Sequence, residues 1–207
     1  GMARTAVAST GGFELAKVGS LERQIVEATE VCVAANGWSK TTMDDVARES
    51  NLSRATIYRV FPGGRDVVLG ALRRHRVLRF FHELRPHMVE ATSALEMLSM
   101  TISAAAQQLN DDEQFQYQLE HDPGEILSTL SFEGLDRILA VARVFVGPHL
   151  MRFMSRREAS QAAEWATRIV VTYVLEPSPW LDLTDGPAVE KFVSERIRTD
   201  AAQPTKN

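Results

Sequence analysis

The sequence of 207 residues is 44% hydrophobic and 24% charged, a composition typical of a chain that folds around its own core. Its single cysteine, Cys32, excludes an internal disulfide and a zinc site built from several cysteines, and no stretch approaches the roughly 18 apolar residues of a membrane helix. The net charge of −4 divides into +4 over residues 1–85 and −8 over residues 86–207, which suggests a polyanion-binding module joined to an acidic body.

The N-terminal residues 1–19 are small and polar and show no periodicity, which predicts a flexible arm. They lack the apolar run of a signal peptide, so we expect a cytoplasmic chain in a reducing compartment, with no membrane partner. A first helix is predicted to begin at Ser20, because apolar residues recur at steps of three and four from Ile25 to Ala35. Asn36-Gly37 is a suitable C-terminal stop for it.

Two short helices are predicted next. Thr42 is a good N-cap, and Asp45 three residues later resembles a capping box. Asn51 tolerates a positive φ in a tight connection, and Ser53 caps a second helix over residues 54–60. Two short helices at this spacing are typical of a helix-turn-helix, whose second helix offers hydroxyl, cationic and aromatic groups to phosphates and base edges. The spacing alone leaves open an arbitrary helical hairpin with a solvated basic face.

The remainder of the chain predicts further helices and no strand. A longer helix starts near Asp66 and runs to about Glu83, and Pro86 closes that segment. Amphipathic patterns and breaking residues predict later helices over 93–109, from Asp111 to a break at Pro123, and over 126–130, 132–146, 156–175 and 185–198. Gly147-Pro148 is expected to end or kink the fourth of these helices.

The segment from Arg23 to Leu72 resembles the DNA-binding domain of the tetracycline-repressor (TetR) family of transcriptional regulators. The matching features are Gly37, Thr41-Thr42, Val46-Ala47, Leu52-Ser53, Ile57-Tyr58 and Phe61-Pro62. Asn51 and Ala55 stand where the family commonly has glycine, and Arg65 stands where a serine-lysine pair is frequent. These departures concern the operator sequence rather than the fold.

The resemblance implies an all-α protein with a three-helix DNA-binding head and a larger C-terminal helical body that binds a ligand and dimerises. The domains are then a flexible arm over 1–19, the helix-turn-helix domain over 20–66, a linking helix over 67–85 and the body over 86–207. The implied function is a ligand-responsive repressor that binds a palindromic operator as a homodimer and is released by a small apolar or aromatic effector. A regulator without a small effector is the alternative.

An all-helical enzyme is the competing class of function. No nucleophile elbow, phosphate-binding glycine loop or metal-ligand spacing occurs in the sequence, so we expect no catalysis, no cofactor and no metal.

The resemblance also assigns candidate residues. The candidate DNA contacts are Lys40, Thr42, Ser53, Arg54, Ala55, Thr56, Tyr58, Arg59 and Arg65, with Arg4 of the arm as a weaker one. Candidates for an effector pocket are Phe81, Met88, Leu98, Ile102, Phe115, Tyr117, Leu119, His121, Phe145 and Trp165, although apolar residues at helical spacing also fit a core. Candidates for the dimer interface are Ala159, Ala162, Ala163, Ala166, Ile169, Val170, Tyr173, Val189, Phe192 and Val193, whose small residues permit close helix packing but equally fit an internal core.

Overall fold

The structure is a computed structural model that describes residues 6–131 and 133–197. Within these ranges the regular structure is helical, apart from an isolated bridge between Ser178 and Leu181. The helices described are α1 (Ala6–Asn36), α2 (Met43–Ser50), α3 (Arg54–Val60), α4 (Arg65–Glu90), α5 (Ala94–Asp111), α6 (Glu113–His121), α7 (Pro123–Leu130), α8 (Glu133–Leu150), α9 (Arg156–Leu175) and α10 (Gly186–Ser194). The predicted all-α class is confirmed.

Helix α1 begins earlier than the sequence pattern indicates. Its first residue is Ala6, so the predicted start at Ser20 is wrong. The stretch before Ser20 contains alanine, glutamate, leucine and lysine, which are strong helix formers even without an apolar stripe. Arg4 lies outside the described residues.

The two short helices are confirmed with their caps. Thr42 and Asp45 form the capping box of α2, and Asn51 ends that helix in the left-handed conformation at φ 55°. Ser53 caps α3, whose span matches the prediction.

Two prolines lie inside helices, although Pro86 was expected to close its segment and Pro148 to end or kink its helix. Pro86 lies within α4 and Pro148 within α8. A proline removes one backbone hydrogen bond, but Met88 and Leu150 beyond these prolines are completely buried. Continuing each helix places these side chains in the core, and that burial outweighs the lost bond.

The other differences concern ends of helices. Pro123 is the first residue of α7 rather than a simple break, in agreement with the preference of proline for the first turn. Helix α10 ends at Ser194, before the predicted end at Arg198.

The chain divides into two compact units, one extending to Arg76 and the other beginning at Val77, and each has its own core. The centre of the first core is formed by Ile25, Val46, Ile57, Val68 and Leu72. The centre of the second core is formed by Met88, Met97, Leu98, Ile102, Leu150, Val189 and Val193. The predicted boundaries at residues 66 and 85 stay predictions. None of the helices in the described part of the chain is long and apolar enough to cross a membrane.

Candidate DNA-binding surface and effector cleft

Helix α3 is fixed on one side and exposed on the other. Its inward residue Ile57 is completely buried. The Ser53 Oγ accepts a hydrogen bond from the Thr56 backbone at 3.1 Å and caps the helix. The predicted contact residues on its outer side are exposed, except for half-buried Thr56: Ser53, Arg54, Ala55, Tyr58 and Arg59. The short helix therefore presents its N-terminal turn to solvent on a packed base.

Arg54 has two partners at this surface. Its Nη1 lies 3.3 Å from Oδ1 of Asp44 on α2, and its guanidinium carbon lies 6.0 Å from the ring centroid of Tyr58. The pKa of Arg54 is raised, first by a hydrogen bond to Tyr58 and then by the charge of Asp44. The side chains of Arg54, Asp44 and Tyr58 are all exposed to solvent. The guanidinium can therefore leave Asp44 and bind a base edge or a phosphate, and no buried contact has to break.

The Tyr58 ring rests against the turn after α3. A Cβ added to Gly64 would lie 2.8 Å from Cε1 of Tyr58, and the φ of Gly64 is +79°. Glycine at this position thus serves two purposes, a positive φ and room for the ring. Tyr58 is 42% exposed and remains accessible to a partner.

The hydroxyl of Thr42 is hydrogen-bonded within the N-terminal cap of α2. Its Oγ1 donates to Oδ2 of Asp45 at 2.8 Å and accepts from the Asp45 backbone at 3.2 Å. The Thr42 hydroxyl, followed by its backbone N–H, holds the pKa of Asp45 below the ordinary value. Asp44 and Asp45 both lie in the first turn of α2, so carboxylates already complement the positive end of this helix. The phosphate contact predicted for Thr42 remains a prediction, and Lys40 nearby is exposed.

Arg65 supports the loop before α2. Its Nε donates to the Thr41 carbonyl at 2.7 Å, and its Nη2 donates to the carbonyls of Trp38 and Ser39. Its Nη1 lies 3.5 Å from Asp66, an exposed carboxylate. The guanidinium was expected to contact phosphate, whereas most of its donors are bound to the protein backbone. Sequence reasoning missed this role, because nothing in the spacing brings residue 65 to residues 38–41.

The predicted dimer residues divide into two groups. Five of them are buried in the core of the second unit: Ala159, Ala163, Val170, Val189 and Val193. For this group the internal role that the sequence left open is the observed one, and a role in a dimer interface stays a prediction. The other five are half-buried and pack at the edge of the same core: Ala162, Ala166, Ile169, Tyr173 and Phe192.

The predicted effector residues are likewise dispersed. Four of them are buried core residues: Phe81, Met88, Leu98 and Ile102. Tyr117 and His121 stack on each other with ring centroids 4.2 Å apart, and both are exposed on α6. The remaining candidates are half-buried: Phe115, Leu119, Phe145 and Trp165.

A cleft of about 290 Å³ lies between the C-terminal parts of α4 and α8, within the second unit. Its lining consists of His82, Arg85, Met88, Val144, Phe145, Pro148 and His149. Only Met88 and Phe145 belong to the predicted effector set. The helical spacing of His82, Arg85 and Met88 is the signal that could have identified one wall, because residues three apart share a helix face.

The two helix ends beside the cleft are tied together by Arg152. It donates to the carbonyls of Met88 and Val89 at the end of α4 and to the carbonyl of His149 at 3.1 Å. Burial, followed by the charges of Arg152 and Arg85, lowers the pKa of His149. The wall is therefore electropositive and fixed in place. In the described residues no group of three or more His, Cys, Asp or Glu side chains is placed to hold a metal ion.

Residues 25–71 match the family model of bacterial regulatory proteins of the tetR family. This is the segment that contains both short helices and the exposed face of α3. This segment of the chain is therefore similar to the tetR family. No significant match is found among curated protein sequences.

Solved structures show the same fold over most of this chain, beyond the segment that matches the family model. The TetR family repressor AlkX from Dietzia sp. strain DQ12-45-1b, implicated in biodegradation of n-alkanes, is 20% identical with a TM-score of 0.65, over 84% of this chain and 94% of that one. The transcriptional repressor QsdR of R. erythropolis is 12% identical with a TM-score of 0.57, over 86% and 94%. The regulator FadR from Bacillus subtilis, in complex with stearoyl-CoA, is 20% identical with a TM-score of 0.50, over 85% and 99%. At these identities the likeness concerns the fold alone.

Proposed function

We propose that this chain is a DNA-binding regulator of the tetR type, a repressor that binds a palindromic operator as a homodimer and is released by a small effector. The observation that carries the proposal is the exposed N-terminal turn of α3, where Arg54, Tyr58 and Arg59 stand clear of a completely buried Ile57. In a helix-turn-helix this turn enters the major groove. A pair of such heads in a homodimer would read two half-sites related by symmetry, so the proposed operator is palindromic.

Release follows from a shift between two arrangements of the dimer. Successive major grooves on one face of the duplex lie about 34–36 Å apart, so the two recognition helices must keep that separation. An effector that fits the body better in another arrangement moves the equilibrium by its difference in affinity for the two states. Helix α4 continues from the first unit into the second and is the proposed lever.

The cleft between α4 and α8 supports an effector over the alternative of a regulator without one. That alternative predicts a body filled by its own side chains, and the burial of Phe81, Leu98 and Ile102 agrees with it in part. The cleft is a further space beside this core, on the helix proposed as lever.

The direct test is selection of DNA. Purified full-length protein is incubated with random duplexes at moderate salt, and the bound fraction is sequenced. The proposal expects a palindrome with half-sites about one helical turn apart. Binding that depends on salt but not on sequence would contradict an operator-specific regulator.

A further inference from the structure

The cleft between α4 and α8 has an apolar floor and a positively charged wall. Met88 is completely buried and Phe145 half-buried, and they supply the apolar surface with Val144 and Pro148. Arg85, His82 and His149 supply the polar groups. No carboxylate is part of this lining.

Arg85 is the arginine of the cleft lining, and its charge is available to a ligand. Its side chain is exposed on α4, and within residues 6–131 and 133–197 its guanidinium makes no ion pair or hydrogen bond. Two positively charged neighbours, Arg85 and Arg152, act on the half-buried His149. The guanidinium of Arg152 already donates hydrogen bonds to the carbonyls of Met88, Val89 and His149. It could bind a ligand only if those hydrogen bonds broke. Arg85 makes no such hydrogen bonds and can form a two-bond pair with a carboxylate.

The acidic side chains of the neighbouring turns do not fill this role. Glu83 precedes Arg85 on α4, but its Oε2 accepts a hydrogen bond from Gln108 of α5 at 2.6 Å. It therefore faces away from the cleft toward α5. Glu83 therefore does not neutralise the guanidinium of Arg85, which can bind an anionic ligand.

The volume limits the size of that molecule. About 290 Å³ is near the lower end of the range of roughly 300–1,000 Å³ for ligand pockets. It equals the liquid volume of about ten water molecules at ~30 Å³ each. A short apolar body with one charged group fits, whereas a whole acyl-CoA does not.

We propose that the cleft binds a small organic acid, with its carboxylate on Arg85, His82 and His149 and its apolar body against Met88 and Phe145. This rests on the proposed function insofar as the acid is the effector that releases DNA, and it adds a carboxylate to the small apolar or aromatic effector expected from the sequence.

The test measures binding to full-length protein by calorimetry with three probes of equal chain length: octanoate, octan-1-ol and octylamine. The proposal expects octanoate to bind at least tenfold more tightly than octan-1-ol, and octylamine to bind most weakly. Equal binding of the acid and the alcohol would show that the wall contributes no recognition of charge. No binding of octanoate overturns the proposal.

Matched variants locate the site. Arg85→Gln should weaken octanoate about tenfold and octan-1-ol less than twofold, because glutamine keeps much of the side-chain length and removes the charge. Arg157→Gln, at an exposed arginine on α9 outside the cleft lining, is the control and should change neither affinity. If Arg85→Gln bound octanoate as tightly as the parent protein, the acid would bind elsewhere, and the proposal that Arg85 holds its carboxylate would be wrong.

The outcome is separable from that of the proposed function. If a selected operator is bound but octanoate does not bind, the regulator stands and the acid site fails. If octanoate binds through Arg85 but leaves the affinity for the operator unchanged, the acid site stands and its role as effector fails. Retention of the operator complex on a gel, with and without octanoate, distinguishes these results.

Discussion

The guanidinium of Arg54 lies between two partners from its own chain, the carboxylate of Asp44 and the ring of Tyr58. Both contacts are at the surface, where water screens them. They orient the side chain outward more than they stabilise the fold. Because the side chain is already ordered in the free protein, it loses less conformational entropy when it binds DNA.

We expect Arg54→Ala to lower operator affinity about five- to hundredfold and to relax the preference at one base position, since an arginine fork bonds guanine in two places. Competition binding with single-base operator variants measures the effect. Arg48→Ala is the control, because Arg48 is also exposed and also pairs with a carboxylate, Asp45, on the neighbouring helix α2. An equal loss across all operator variants would instead make Arg54 a phosphate contact.

The guanidinium of Arg65 binds backbone carbonyls of its own chain. We expect Arg65→Lys to destabilise the first unit by about 1–3 kcal/mol, since an ammonium cannot reach the carbonyls of Trp38, Ser39 and Thr41 as a planar fork does. Urea unfolding followed by fluorescence measures the loss. Arg59→Lys on the exposed side of α3 should leave stability unchanged. If Arg65→Lys were as stable as the parent and bound DNA equally well, a phosphate role would be the better description.

At the scale of elements, the connection between α2 and α3 sets the recognition helix. Asn51 donates its backbone N–H to the carbonyls of Ala47 and Arg48 and adopts φ 55°. Leu52 then donates to Ala47 at 3.2 Å, and Ser53 begins the next cap. The angle between the helices therefore depends on one left-handed residue.

We expect Asn51→Val to destabilise the first unit by about 1–2 kcal/mol, because a β-branched residue is strained at positive φ. Asn51→Gly is the matched control and should be neutral or mildly stabilising. Thermal unfolding and operator binding measured on both variants check this. Equal melting temperatures would show that the turn tolerates either residue by changing its conformation.

The whole molecule combines a basic N-terminal part with an acidic body, +4 over residues 1–85 and −8 over residues 86–207. The positive charge favours binding of a polyanion by the N-terminal part, and the negative charge of the body disfavours binding of DNA by the body. A homodimer would present two such heads to one duplex.

The half-buried members of the predicted interface are where the proposed dimer can be tested. We expect Ala166→Arg on α9 to convert a dimer of about 46 kDa, twice the 23.0 kDa of one chain, to a monomer, because a charged side chain cannot fit a close helix contact. Sedimentation measures the mass, and circular dichroism checks that the helices remain. Ala34→Arg, at an exposed alanine of α1 in the first unit, is the control. A folded Ala166→Arg variant that remained dimeric would move the interface to another face.

The sequence determined the local features of this protein. The caps at Thr42 and Ser53, the left-handed Asn51 and the outward face of α3 follow from side chains within a few residues of one another, so their physics is local. The segment that matches the tetR-family model, residues 25–71, contains these same features.

Tertiary structure decided what depends on distant contacts. It continued α4 and α8 through Pro86 and Pro148, because the burial of Met88 and Leu150 outweighs a missing hydrogen bond. It assigned Arg65 to backbone carbonyls more than twenty residues away. It also separated the apolar stripe of α9 into buried and half-buried residues, which periodicity cannot do, since a stripe shows that a face packs but not against what.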